Sequence, residues 1–165
     1  MVLKMENLKI SRVVSGGQTG VDRAALDFAV RIGLECGGWC PKGRLALDGP
    51  IDAIYPLKET PSCAYQQRTE WNVRDSDGTL ILTRGVLSGG TALTQRFARQ
   101  QKKQCLILDF NYIEMNEHSA QQMLKTWLTR NGLCVLNIAG PREREHRGVY
   151  DNTLQFLLRF WAACH

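Results

Sequence analysis

Three observations in this chain of 165 residues predict an α/β fold built on a doubly wound parallel sheet of about five strands with helices on both faces. Short apolar runs alternate with stretches of helical periodicity along the chain, the pattern of repeated strand–helix–strand units. The runs Thr79–Thr83 and Gln104–Asp109 lack in–out alternation, as strands covered on both faces do. Two glycine turns, Ser15–Gly20 and Ser88–Thr91, each carry the chain from the end of such a run into a helical stretch. Right-handed crossovers then order the units, and ligands in such sheets sit beyond the C-terminal strand ends.

The elements follow in order. Ile10–Ser15 reads as the first strand, and Val21, Ala25, Phe28 and Ile32 recur at helical spacing until Gly33 supplies a C-terminal stop. Glu35–Cys40 is the second strand. The segment from Pro41 to Ser62 is long and rich in turn residues, and irregular segments of that length in compact domains are often functional. A helix spans about Tyr65–Asp75, Thr79–Thr83 is the third strand, and a helix runs from Thr91 to Lys103. Gln104–Asp109 is the fourth strand. Ala120, Met123, Leu124, Trp127 and Leu128 form an apolar stripe closed by Asn131-Gly132, and Cys134–Ala139 is the fifth strand. The last helix covers about Arg147–Cys164. It carries one stripe of Tyr150, Leu154, Leu157, Leu158 and Trp161 and a second of Val149, Phe156 and Phe160. One stripe suffices to cover a sheet, so the second predicts a subunit interface, with a homodimer or tetramer as the expected assembly.

Composition narrows the function classes. Residues 1–165 read as one domain, with no linker composition between parts. A net charge of +5, with basic residues mostly scattered, favours anionic ligands without arguing for nucleic acid. The six cysteines form no CxxC pair and read as free thiols in a reducing compartment. The three histidines show no ligand spacing, so no protein-bound metal is expected. No secretory leader or transmembrane run stands out, and a cytoplasmic protein with no membrane partner is expected.

The glycine turns carry the chemistry. A strand that enters a helix through glycines presents unpaired backbone N–H groups at a helix N-terminus, where the dipole also favours an anion. Gly16, Gly17, Gln18, Thr19, Gly20 and Asp22 form the first such turn, although Thr19 and Asp22 also fit a capping box. Neither a GxGxxG nor a Walker A ending is present. Ser88, Gly89, Gly90 and Thr91 form the second turn, with Ser88 or Thr91 as an alternative plain N-cap. Lys42 and Arg44 leave the second strand toward the same edge and suit an oxyanion. Arg68, Asn72 and Asp75 share one helix face, whereas Glu70 points elsewhere. Arg142 follows the fifth strand, but the alternating charges around it favour surface pairing. No Ser-His-Asp, Cys-His or paired-carboxylate set appears, so no catalytic residue is assigned.

At these residues the chain resembles a known family. Ser15–Asp27 (SGGQTGVDRAALD), Gly38–Arg44 (GWCPKGR), Arg68–Val73 (RTEWNV) and Leu87–Thr91 (LSGGT) resemble motifs of the putative molybdenum carrier family. The resemblance implies a Rossmann-like fold, related to lysine-decarboxylase-like proteins that include cytokinin-activating phosphoribohydrolases. It implies the molybdenum cofactor, a phosphate-bearing pterin with a metal oxyanion, as the ligand. The phosphoribohydrolase relatives carry an arginine, matched by Arg68, and a Pro-Gly-Gly-x-Gly-Thr-x-x-Glu motif, whose Gly-Thr matches Gly90-Thr91. Thr94 stands where their catalytic glutamate would be, which argues against hydrolysis. The expectation is therefore a carrier that holds a phosphorylated pterin- or nucleotide-like molecule between the two turns. The alternatives are a nucleoside-monophosphate phosphoribohydrolase and a nucleotide-derivative sensor acting through partner proteins.

Overall fold

In the computed structural model, which describes residues 8–165, strands and helices alternate along the chain. The elements are β1 (Arg12–Val14), α1 (Val21–Ile32), β2 (Glu35–Gly37), β3 (Trp39–Cys40), β4 (Lys58–Glu59) and α2 (Tyr65–Arg74). They continue with β5 (Gly78–Thr83), α3 (Gly89–Gln100), β6 (Gln104–Asp109), α4 (Phe110–Arg130), β7 (Val135–Ala139) and α5 (Val149–Cys164). Five strands form one parallel sheet in the order β2-β1-β7-β5-β6. Its register sets Val13 against Cys36 and Leu136, and Ile81 against Ile107 and Ala139. This is the doubly wound, Rossmann-like architecture. β1 connects outward through α1 to β2, whereas β5 connects the other way through α3 to β6, so the chain reverses direction about β7.

The sheet separates two layers. On one face Leu80, Leu82 and Ile138 pack against Phe28 of α1, Leu124 of α4 and Leu157 of α5 in the main core. On the other, Val73 of α2 and Phe97 and Ala98 of α3 pack together, with Cys105 of β6 against them. All six residues of β5 are buried, which explains a strand sequence without alternation.

Four local expectations change. The second strand does not run through to Cys40: it breaks at Gly38, whose φ of +126° and contact space admit no side chain. A Cβ there would lie 2.3 Å from the Ser15 carbonyl oxygen. After the break the chain leaves the main sheet, and β3 pairs in parallel with β4, which arises inside the segment expected to be irregular. The capping box does not form: Gly20, at φ +86°, precedes α1 without a side-chain cap, and Asp22 turns inward to Arg68. Helix α3 begins two residues early, so that Gly89 and Gly90 are its first residues. Helix α4 starts at Phe110, where the Asp109 carboxylate accepts from the Asn111 N–H at 2.8 Å, and it is interrupted at Asn116.

The second stripe of α5 is not free for a partner. Val149, Phe156 and Phe160 are 1%, 1% and 4% exposed, while Tyr150, Leu158 and Trp161 cover the rim of the same core. The helix lies against α1 and also meets α4, so both stripes are used inside the chain. The premise for a subunit interface on this helix is therefore removed.

Candidate functional site: a cleft at the sheet edge

Where the chain reverses about β7, a cleft opens beyond the C-terminal strand ends, the place this topology provides for a ligand. The segments leaving β1 and β7 form its floor, with Gly16, Gln18, Asn137 and Arg142 in the lining. Helices α2 and α3 form its walls, with Tyr65, Arg68, Gly90 and Thr94 facing in. The cavity measures about 60 Å³, room for on the order of four waters, so its depth suits a compact ion or the anionic end of a larger molecule.

The centre of the site is a buried ion pair. Arg68 Nη1 donates to Asp22 Oδ2 at 2.8 Å, with the two residues 8% and 6% exposed. Gly16 makes room for it: a Cβ at that position would lie 1.7 Å from Arg68 Nη1. Burial pushes the Asp22 carboxyl above its ordinary range, and the facing Arg68 charge opposes the rise without cancelling it. The pair leaves donors unused. Among the described residues, Arg68 Nε and Gln18 Nε2 are buried without a hydrogen-bond partner. Such atoms cost free energy unless something else accepts from them.

Around this pair lie further polar groups. The Gln18 amide oxygen accepts from the Thr19 and Leu47 N–H groups at 3.0 and 2.9 Å, which fixes the side chain. Asn72 accepts from the Trp39 N–H at 2.8 Å and donates to its carbonyl at 2.9 Å, pinning α2 to β3. Asn137, in the middle of β7, donates to Thr79 Oγ1 at 3.1 Å. The Tyr65 ring has two guanidinium groups near it, Arg68 at 5.5 Å and Arg142 at 5.2 Å. Across the cleft, the first intrahelical bonds of α3 come from Thr91 and Ala92 to the Ser88 carbonyl, which leaves the N–H groups of Gly89 and Gly90 outside the helical pattern. A Cβ on Gly90 would meet no heavy atom within 4 Å, so its face is open.

Eight of the fifteen sequence-derived site residues line the cleft: Gly16, Gln18, Asp22, Arg68, Asn72, Gly90, Thr91 and Thr94. The other seven do not. Gly17 has φ +72°, and its missing side chain faces Ile51 and Leu57. Thr19 stands at the turn beside it. Gly20 packs its backbone on the next segment: a Cβ would lie 2.5 Å from the Pro141 carbonyl oxygen. Lys42 is exposed outside the lining. Arg44 turns back into its own loop, where its guanidinium donates to the carbonyls of Ile51, Asp52, Tyr55 and Leu57. Ser88 and Gly89 lie exposed at the mouth of the second turn. Sequence reasoning did not assign Tyr65, Asn137 or Gly140 to the site, and it favoured surface pairing for Arg142. A polar Asn137 inside an apolar strand run and a glycine directly after it were the available signals. Gly140 is required where it stands, because a Cβ would lie 2.1 Å from the Leu82 carbonyl oxygen.

No helix among the described residues is long and apolar enough to cross a membrane. The chain matches the family described as the circularly permutated YpsA SLOG family over residues 13–161. It is similar to a protein from Syntrophus aciditrophicus SB whose crystal structure, at 1.45 Å resolution, is described as a putative molybdenum carrier protein. The two are 47% identical, superpose with a TM-score of 0.90, and match over 94% of this chain and 97% of that one. No curated protein matches the chain. Fold, motifs and matched span agree, and the chain belongs to the circularly permutated YpsA SLOG family.

Proposed function

We propose that this protein is a small-molecule carrier that grips its cargo by an anionic group in the cleft between α2 and α3. The observation that carries the reading is that Arg68 and Gln18, whose Nε and Nε2 are buried without a partner, line the same cleft as the open first turn of α3. The lining supplies guanidinium, amide and hydroxyl groups, which suit a phosphate or another oxyanion. The molybdenum carrier description of the Syntrophus protein suggests a phosphorylated pterin, the molybdenum cofactor, as cargo. Such a molecule would place its phosphate at Arg68 and the α3 N-terminus, with its ring outward beside Tyr65 and Leu93. The fit concerns the phosphate end alone. A nucleotide-like molecule would satisfy the same donors.

Binding rather than hydrolysis is the reading because, among the described residues, no free carboxylate suited to acid–base work lines the cleft. Thr94 donates its hydroxyl to the Gly90 carbonyl at 2.9 Å, Asp22 is paired with Arg68, and Glu145 accepts from the Arg142 N–H. Native mass spectrometry of freshly purified protein tests the proposal, together with thermal unfolding in inorganic phosphate and adenosine monophosphate. The expected result is a co-purifying phosphorylated molecule or a rise in melting temperature with the anions. Protein that purifies empty and gains no stability from either anion overturns it.

A further inference from the structure

We infer that Arg142 is the residue that meets the cargo's charge: its guanidinium, held over the Tyr65 ring at the rim of the cleft, turns onto the bound oxyanion. The Arg68–Asp22 pair then stays a structural part of the wall. The inference rests on the oxyanion reading above and adds which cation recognises the anion.

The other cations near the cleft are already committed. Arg68 gives Nη1 to Asp22 at 2.8 Å, so its charge is offset inside the wall. Arg23, beside Asp22 on α1, pairs with Asp48 and donates to the Gly17 carbonyl. Arg44 is spent on the carbonyls of its own loop. Arg142 differs. It lines the cleft, is half-buried, and its guanidinium takes part in none of the ion pairs among the described residues. It rests instead against the Tyr65 ring, 5.2 Å from the centroid, a neutral surface that leaves its N–H donors for another acceptor.

The base of this side chain is fixed while its head is not. The Glu145 carboxylate, also in the lining, accepts the Arg142 backbone N–H at 2.8 Å and so holds the main chain. The Arg142 carbonyl accepts from the Glu145 and His146 N–H groups at 3.0 and 3.2 Å. Gly20 packs beneath it, where a Cβ would lie 2.8 Å from the Arg142 carbonyl carbon. The Tyr65 ring lies 5.5 Å from Arg68 and 5.2 Å from Arg142, so the free guanidinium starts within a side chain's swing of the wall. A phosphate leaving water for a half-enclosed cleft needs a compensating charge. The α3 N-terminus offers only a partial one. Arg142 supplies a full unit, in a planar fork that can donate two N–H bonds to one oxyanion. Holding the guanidinium on the ring beforehand limits the freedom lost on binding.

The test is calorimetric titration of the full chain with inorganic phosphate and with adenosine monophosphate, at low and high sodium chloride. Arg142→Gln should weaken both anions about tenfold to a hundredfold. It should also flatten the salt dependence of binding. The unliganded melting temperature should stay within about 3 °C of wild type. Arg142→Lys keeps the charge without the fork and should fall between the two. Tyr65→Leu should weaken inorganic phosphate, which has no ring for Tyr65 to touch, about threefold in the wild-type background and not in Arg142→Gln. A folded Arg142→Gln protein with wild-type affinity and salt dependence overturns the inference and leaves the oxyanion reading standing. An equal effect of Tyr65→Leu in both backgrounds also overturns it. Should Arg142→Gln fail to fold, Arg142→Lys decides: undiminished affinity overturns the inference, and an intermediate affinity supports it. If neither anion binds the wild-type protein, the oxyanion reading falls and the inference with it.

Discussion

Gly90→Val separates the cleft from the fold. Gly90 is the second residue of α3, its φ is not in the left-handed region, and its missing side chain points into open space. Valine is a slightly better helix former than glycine, so the unliganded protein should change in stability by less than about 0.5 kcal/mol. The same side chain would occupy much of a cavity of about 60 Å³ and hold an anion away from the first-turn N–H groups. A ligand at one hundred times its Kd stabilises by about 2.7 kcal/mol. For a chain of 165 residues that corresponds to a melting-temperature rise of roughly 5–11 °C. A hundredfold weakening leaves about 0.4 kcal/mol, a rise of roughly 1–2 °C. Scanning fluorimetry with and without adenosine monophosphate measures both quantities on one sample. A variant with wild-type stability and an undiminished ligand-induced rise would refute the placement of the anion at α3.

Other perturbations probe the supports. Gly16→Ala should displace the Arg68–Asp22 pair and cost about 2–4 kcal/mol in denaturant unfolding, since its Cβ would lie 1.7 Å from Arg68 Nη1. Arg44→Lys should loosen the loop from Pro41 to Ser62, read as faster proteolysis there with anion binding retained, because one ammonium cannot serve the four carbonyls that the guanidinium reaches. Phe156→Lys should unfold the protein rather than alter its assembly, at a cost above about 4 kcal/mol, because the residue is 1% exposed in the main core; circular dichroism distinguishes the outcomes. Burial and the shared Asp27 carboxylate raise the Tyr55 phenol and push Tyr150 up to about 12. The folded state then holds those protons more tightly than the unfolded chain, so stability should fall as pH rises from about 10 towards 12, and Asp27→Asn should flatten that fall in alkaline melts.

Much of this architecture was legible because local signals and topology agree. Gly33 closes α1 with φ +74°, and Gln104–Asp109 is a strand at the expected bounds. The two glycine turns do approach one cleft, but each contributes only part of itself. Glycine marks a place where a side chain cannot be, without saying whether a ligand or the protein's own backbone takes that space. At Gly90 the space is open, whereas at Gly17 it belongs to Ile51 and Leu57 and at Gly20 to the backbone after Pro141. Arg44 was illegible for a related reason: a cation beside a cleft and a cation that staples its own loop read alike in sequence. The α5 stripes were visible, but whether a helix has neighbours on two sides depends on the placement of α1 and α4, which local periodicity does not encode.

The close backbone approaches have a mechanical consequence. Gly20 lies against the chain after Pro141, and Gly140 lies against the Leu82 carbonyl and the Val21 side chain, so the exits of β1, β7 and β5 are locked together without room for a methyl group. The floor of the cleft is a fixed jaw. Helices α2 and α3 rest on each other through the small cluster of Val73, Phe97 and Ala98, apart from the main core. On that side of the cleft Asn72 ties α2 to the Trp39 backbone through both of its amide atoms, so the wall is anchored to the short β3–β4 pair and not to the locked strand exits.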